Sequence, residues 1–259
     1  MTGQPLTGFA LITGASSGLG ASFSRRLAAE GRNLILVARD AERLDTFAAD
    51  LRDRYPIEVE VLPADLSTEP GCQAVAARLG QHVDPVDTLI NNAGFGLYQP
   101  FGKSSLDDEH RMLNLNVRAV LTLTHAAVGA MTARRRGEII NISSVAGFLP
   151  RGDASTYGAS KAWVTLFSEG IALLVKDRGV RVTVICPGFT HTEFHARASV
   201  DRSGTPSFLW LDADRVVADG LADARRGKVV SVPSKRYRAI VTLVKLLPRP
   251  LVARVMARR

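Results

Sequence analysis

The stretch FALITGASSGLG, residues 9–20, runs from an apolar, β-branched segment into a turn carrying Gly14, Gly18 and Gly20, and from there into a helical pattern. A strand that ends in glycines and restarts as a helix lets the backbone turn tightly and approach a pyrophosphate closely, with the helix N-terminus facing the anion. Ser16, Ser17 and Leu19 occupy positions between the glycines. The spacing is G-x-x-x-G-x-G and differs from the G-x-G-x-x-G dinucleotide fingerprint. Taken alone, the turn could also be a plain strand-to-helix connection, so its neighbours decide.

Outward from it, short apolar runs recur as NLILVA (33–38), EVEVLPA (58–64), DTLIN (87–91), EIINIS (138–143), VRVTVIC (180–186) and KVVSV (228–232), which with FALIT (9–13) makes seven expected strands. Helical patterns lie between them, among them 18–30, 41–54, 106–134 and 154–177, long enough for right-handed crossovers. Strands alternating with helices imply an α/β fold, a Rossmann-type doubly wound parallel sheet of about seven strands covered on both faces. Ligands of such a sheet bind at the carboxyl ends of its strands. No Ser/Gly/Pro-rich linker and no repeat divides the 259 residues. We expect one domain: residues 1–232 for dinucleotide binding and catalysis, and 233–259 as a basic amphipathic helical C-terminal extension of it.

The net charge of +8 raises the question of a nucleic-acid partner. Its distribution argues against one, since residues 225–259 carry 11 Lys or Arg and no Asp or Glu, leaving 22 basic against 25 acidic residues in 1–224. Aromatics are 6%, too few for a binding face with interleaved rings. Cys72 and Cys186 fall in an expected helix and an expected buried strand, which suits a reducing cytoplasm and not a disulfide framework. The N-terminal residues show no charged region followed by a long apolar one, and no apolar run reaches the roughly 18 residues of a spanning helix, so neither a signal peptide nor a transmembrane segment is expected. The five His are scattered and no cluster has metal-ligand spacing, so no metal is expected.

Three further motifs fall where strands end. NNAG (91–94) closes the fourth strand; its small residues would let a cofactor lie against the sheet edge, although an ordinary Asn/Gly turn reads the same way. NISSVAG (141–147) places Ser144 at the same edge, 13 residues before Tyr157. CPGFTHT (186–192) turns at Pro187 and Gly188 and offers the hydroxyls of Thr190 and Thr192. In TYGASKAW (156–163), Tyr157 and Lys161 are four apart and share one helical face, either by coincidence or as an acid with its charge partner.

The joint occurrence of TGASSGLG, NNAG, a Ser 13 residues before a Tyr, and YGASK, in that order over about residues 8–232, resembles the short-chain dehydrogenase/reductase family. The resemblance extends to long-acyl and hydroxysteroid-type ketoreductases. It implies a catalytic tetrad of Asn116 (from NLNVRAV, with Asn114 two places earlier), Ser144, Tyr157 and Lys161. Tyr157 would be the proton donor, its phenol tuned by Lys161, which also holds the nicotinamide ribose. Ser144 would bond the substrate oxygen, and Asn116 would hold a proton-relaying water.

The second strand ends in Ala38 and Arg39, where an Asp or Glu would bind the 2′-hydroxyl of NAD and repel a 2′-phosphate. Arginine instead forms forked, charge-assisted contacts with phosphate, so NADP(H) is expected. A solvent-pointing Arg39 at the start of the next helix is the alternative. Asp65, in ADLS, resembles the family residue that meets the adenine. The expected cofactor set is Gly14, Ser16, Ser17, Gly18, Leu19, Gly20, Arg39, Asp65, Leu66, Asn92, Ala93, Gly94, Tyr157, Lys161, Pro187, Gly188, Thr190 and Thr192.

Residues 189–211 read as a substrate lid made apolar by Phe194, Phe208, Leu209, Trp210 and Leu211, with Phe95, Leu97, Phe148 and Leu149 flanking the same mouth. Such walls suit a lipid-like, steroid-like or acyl ketone, unless these side chains merely pack the lid onto the body. A homodimer is expected through the helices at 106–134 and 154–177. In the tail, Ile240, Leu243, Val244 and Leu247 are expected on one helical face opposite Arg238, Thr242 and Lys245. A second helix would set Leu251, Val252, Val255 and Met256 opposite Arg254 and Arg258. Such helices either cover the substrate mouth or meet a partner, an anionic membrane surface or an acidic carrier. The alternative to an enzyme is a cofactor-binding regulatory or scaffold protein of the same fold.

Overall fold

The computed structural model of the chain describes residues 6–97, 99–150, 152, 154–193 and 206–256. Its strands are β1 (Phe9–Thr13), β2 (Leu34–Ala38), β3 (Val59–Pro63), β4 (Val86–Asn91), β5 (Gly137–Ile142), β6 (Val180–Ile185) and β7 (Val230–Ser231). They form one sheet in the order β3-β2-β1-β4-β5-β6-β7, every pair parallel. The chain runs outward from β1 to β3 and then returns to β4 on the other side, so the β1/β4 boundary is the switch point at which a ligand crevice opens.

β1, β4 and β5 are buried at every position, and β1 and β2 read as apolar runs that do not alternate because both faces of the sheet are covered. Helices α1 (Gly18–Ala29), α2 (Ala41–Arg54) and α7 (Ala213–Arg225) cover one face through Phe23, Leu44, Leu51 and Leu221. α3 (Glu69–Leu79), α5 (Val120–Ala133) and α6 (Ser155–Val175) cover the other through Val75, Leu123, Met131 and Val175. β7 is shorter than its sequence run, and beyond Val232 the ladder cannot continue because Pro233 has no N–H to donate.

The expected helix at 106–134 is not uniform. α4 (Leu106–Leu113) passes into a π-helical segment, Asn114–Ala119, before α5 begins. The wider π turn changes the phase between α4 and α5 and carries Asn116 inward.

The tail forms α8 (Lys235–Leu246) and α9 (Arg249–Met256). The packed face of α8 is not the one the pattern suggested. Tyr237, Val241 and half-buried Val244 face the body, whereas Leu243 is 59% and Ile240 39% exposed. Tyr237 sets the phase: once it is docked inward, positions i+4 and i+7 follow it. Among the described residues no helix is long and apolar enough to cross a membrane.

Candidate active site

The carboxyl ends of β1, β2, β4, β5 and β6 open into one cavity of about 920 Å³. At its floor the glycine turn is held in conformations that side chains resist: Gly14 has φ +64° and Gly18 φ +53°. A Cβ at Gly20 would lie 2.1 Å from the Gly14 carbonyl oxygen, so this glycine is needed for the turn to fold over α1. Thr13 and Asn92 knit β1 to β4 there. The Thr13 hydroxyl accepts from the backbone N–H of Asn92 and of Ala93, each at 2.9 Å, and the Asn92 amide donates back to the Thr13 carbonyl at 2.9 Å.

Tyr157 and Lys161 lie on the first turns of α6, buried, and both line the cavity beside Ser144 at the end of β5. The Lys161 ammonium is 5.8 Å from the Tyr157 ring centroid and donates to the Ile142 carbonyl at 2.9 Å. Burial pushes Lys161 down to about 8. Ser144 caps the short turn after β5, its hydroxyl accepting from the Ala146 N–H at 3.1 Å. Asn116 is fully buried; its side-chain oxygen accepts from the Phe95 N–H at 3.2 Å, and its amide donates to the Phe95 carbonyl at 2.9 Å and to the Ser160 hydroxyl at 3.2 Å. A Cβ added to Gly94 would meet Asn116 Oδ1 at 2.9 Å and Lys161 Nζ at 3.4 Å, so these two groups converge on that glycine.

Residues 8–203 match the family model described as short chain dehydrogenase. The chain belongs to that family. It is 37% identical over 216 residues to sulfoacetaldehyde reductase 2 of Chromohalobacter salexigens, covering 82% of this chain and 84% of that one. Two solved structures superpose over most of the molecule. A short-chain dehydrogenase from Sphingobium yanoikuyae in complex with NADPH gives a TM-score of 0.85 at 35% identity, covering 94% of this chain and 97% of that one. The bulky-bulky ketone specific alcohol dehydrogenase from Comamonas testosteroni gives 0.79 at 31%, covering 93% and 95%. The protein is thus an oxidoreductase that uses NADP(H).

Most of the expected cofactor residues line this one cavity of the short-chain dehydrogenase. Ser16, Ser17, Leu19, Asp65, Leu66, Pro187, Gly188, Thr190 and Thr192 all border it, as do Gly14, Gly18 and the Asn92–Gly94 turn. Gly20 and Asn116 do not; they act behind the wall, as packing and support. Exposed Arg39 stands at the far end. There burial raises the Asp65 carboxyl, but two hydrogen bonds from Ser67, at 2.9 and 2.7 Å, and the nearby Arg39 and Arg111 outweigh it and bring it below the usual carboxylate range.

Sequence reasoning missed two residues here. Arg43, one turn after Arg39, borders the same end and is paired with Glu193 at 2.6 Å; its signal was the i+4 spacing from Arg39. Tyr237 comes from the tail, where nothing marked it out. Its hydroxyl donates to the Leu209 carbonyl at 2.8 Å and accepts from the Phe189 N–H at 3.1 Å, stapling α8 to both sides of the lid segment. Gly188 makes room for its ring, since a Cβ there would lie 2.1 Å from the aromatic carbons. Burial raises the Tyr237 phenol, and the Phe189 bond offsets this only in part.

The lid divides unexpectedly. Leu209 lines the cavity, but Phe208 is 58% exposed under Arg236, and Trp210 stacks on His191 with ring centroids 5.0 Å apart. Leu211 pairs with Thr190 as an isolated parallel bridge. These contacts fix the base of the segment and remove Phe208, Trp210 and Leu211 from the cavity wall. Phe194 lies outside the described residues. Phe95, Leu97, Phe148 and Leu149 do border the cavity, joined by Ile240, Val241 and Val244 of α8. Among the described residues no three His, Cys, Asp or Glu side chains are grouped to hold a metal.

Proposed function

We propose that this enzyme reduces an apolar, acyl- or steroid-like ketone to the secondary alcohol with NADPH. The observation that carries the reading is the cavity itself: Ser144 and Tyr157 stand where strand ends meet, and the walls beyond them are Phe95, Leu97, Phe148, Leu149, Leu209 and the apolar side of α8. The Comamonas relative, named for bulky-bulky ketones, favours the same reading, whereas the sulfoacetaldehyde reductase is named for a small charged aldehyde.

Bound NADPH supplies the hydride to the carbonyl carbon, and the remaining work falls to this chain. The α1 N-terminus and the Gly14 turn would hold the pyrophosphate, Arg39 the 2′-phosphate, Asp65 and Leu66 the adenine, and Lys161 the nicotinamide ribose. Ser144 donates to the substrate oxygen as it gains charge, and Tyr157 delivers its proton to that oxygen. The Lys161 ammonium, 5.8 Å from the Tyr157 ring centroid, would stabilise the phenolate that proton donation leaves. Asn116 fixes the Phe95 loop beside Lys161 and supports the route by which the proton is replaced. The extension 233–259 acts as part of the same catalytic domain, and buried, unpaired Cys72 and Cys186 suit a reducing cytoplasm.

The reading is tested by kcat/KM for NADPH-dependent reduction across ketones of increasing apolar bulk, with sulfoacetaldehyde as the small charged comparison. The value rises with bulk; a preference for the small anion contradicts it. A pH dependence follows from Lys161. Burial lowers its pKa, so the ammonium is lost near pH 8 and not near 10.5. The kcat/KM for NADPH, which reports ionisations of the free enzyme, therefore falls as pH rises through about 8; a profile level to pH 10 removes the ammonium from cofactor binding.

For assembly we propose an isologous homodimer. Leu166, Leu173 and Leu174 on α6 are 72%, 78% and 55% exposed, and Leu121 on α5 is 46% exposed, a large apolar surface for a monomer to leave in water. Sedimentation gives a dimer at micromolar concentration, and Leu166→Glu with Leu173→Glu converts it to monomer. A wild-type monomer contradicts the interface.

A further inference from the structure

We infer that the outer side of the C-terminal helices is a docking surface for an anionic lipid bilayer, seating the substrate cavity against the membrane; the inference rests on the apolar-ketone reading above. α8 has two distinct sides. The inner side, Tyr237, Val241 and Val244, walls the cavity. On the outer side Lys235, Ala239, Leu243 and Leu246 fall along one line, all exposed, with Leu246 at 77%. Phe208, beneath Arg236, adds exposed apolar surface next to α8, and Leu251 on the following helix α9 is 43% exposed. Ile240 sits on the rim, 39% exposed and at the same time lining the cavity, so the outer surface and the substrate chamber share an edge.

Charge chooses the occupant. Residues 235–259 hold 8 basic and no acidic side chains, while the rest of the chain is balanced at 25 basic and 25 acidic. Exposed Arg238 flanks the leucines, and Arg254 lies beside Leu251. Leucines in the acyl boundary with Lys and Arg at headgroup level is the arrangement of an interfacial helix, which lies in the plane of an anionic surface without crossing it. A second copy of this chain would bring the same positive charge to the contact and meet repulsion. A bilayer brings negative charge and also dissolves the class of substrate the cavity fits.

The test is co-sedimentation of the full-length protein with phosphatidylglycerol-containing vesicles and with pure phosphatidylcholine vesicles, at low and high salt. Binding to the anionic vesicles alone, weakened by salt, is expected. Leu243→Ser with Leu246→Ser, both facing solvent, should weaken partition at least ~10-fold while leaving NADPH affinity and the circular dichroism spectrum unchanged. Lys235→Glu with Arg238→Glu should abolish it. No sedimentation of the wild type at low salt overturns the proposal, as does binding that the leucine variant retains. A leucine variant that loses its oligomeric state while the wild type ignores vesicles assigns the surface to a second copy. Binding of an acidic protein with no vesicle binding assigns it to a carrier. Because vesicle binding is measured without turnover, failure here leaves the ketone reading intact, and failure of the ketone series leaves the binding result standing.

Discussion

Tyr157→Phe is expected to cut turnover by at least ~10² while leaving NADPH affinity within a few-fold. The substitution is a clean one. The ring packs against Met112 and Ala154 with Phe95 and Leu97 alongside, contacts that a phenylalanine keeps, so the loss isolates the hydroxyl. Lys161→Ala behaves differently, lowering both turnover and NADPH affinity, because its ammonium serves the phenol and the ribose together. Steady-state kinetics with a separate fluorescence titration of NADPH distinguishes the two patterns. Near-normal turnover in Tyr157→Phe would remove this residue from the mechanism.

Arg39→Asp is expected to weaken NADPH binding by about 2 kcal/mol, roughly 30-fold, since a charge-assisted contact becomes a repulsion. NADH, which has no 2′-phosphate to repel, should then compete. Arg43 stands nearby but is engaged with Glu193, so it is not expected to compensate fully; Arg39→Asp with Arg43→Ala should lose more than either change alone. Comparing kcat/KM for the two cofactors checks this, and a wild type that already prefers NADH would contradict the reading of Arg39.

The fold was legible because its strongest signals are local. Central parallel strands are buried on both faces, so β1 and β2 appear as apolar runs that do not alternate, and the turn after β1 declares itself by glycines held at positive φ or tight against backbone. The Tyr157–Lys161 pair was legible for the same reason, since a four-residue spacing on one helix puts both at one edge. What was hidden depends on tertiary contacts. NLNVRAV carries no mark of the π turn that sends Asn116 inward. The phase of α8 follows from the hydrogen bonds that the Tyr237 hydroxyl accepts from Phe189 and donates to Leu209, and from the space left by Gly188, nearly fifty residues away in the chain. Trp210, apolar by sequence, is taken up by His191 and Phe189 and never reaches the cavity wall.

The central claim is that hydride passes from NADPH to a bulky apolar ketone under proton donation by Tyr157. It is tested most directly by incubating the enzyme with NADPH carrying deuterium at both C4 positions of the nicotinamide and a bulky apolar ketone, and analysing the product by mass spectrometry. The account predicts deuterium on the carbinol carbon of the alcohol, formed by the wild type and at least ~10² more slowly by Tyr157→Phe. Alcohol without deuterium, or consumption of the cofactor by sulfoacetaldehyde but by none of the apolar ketones, would contradict it.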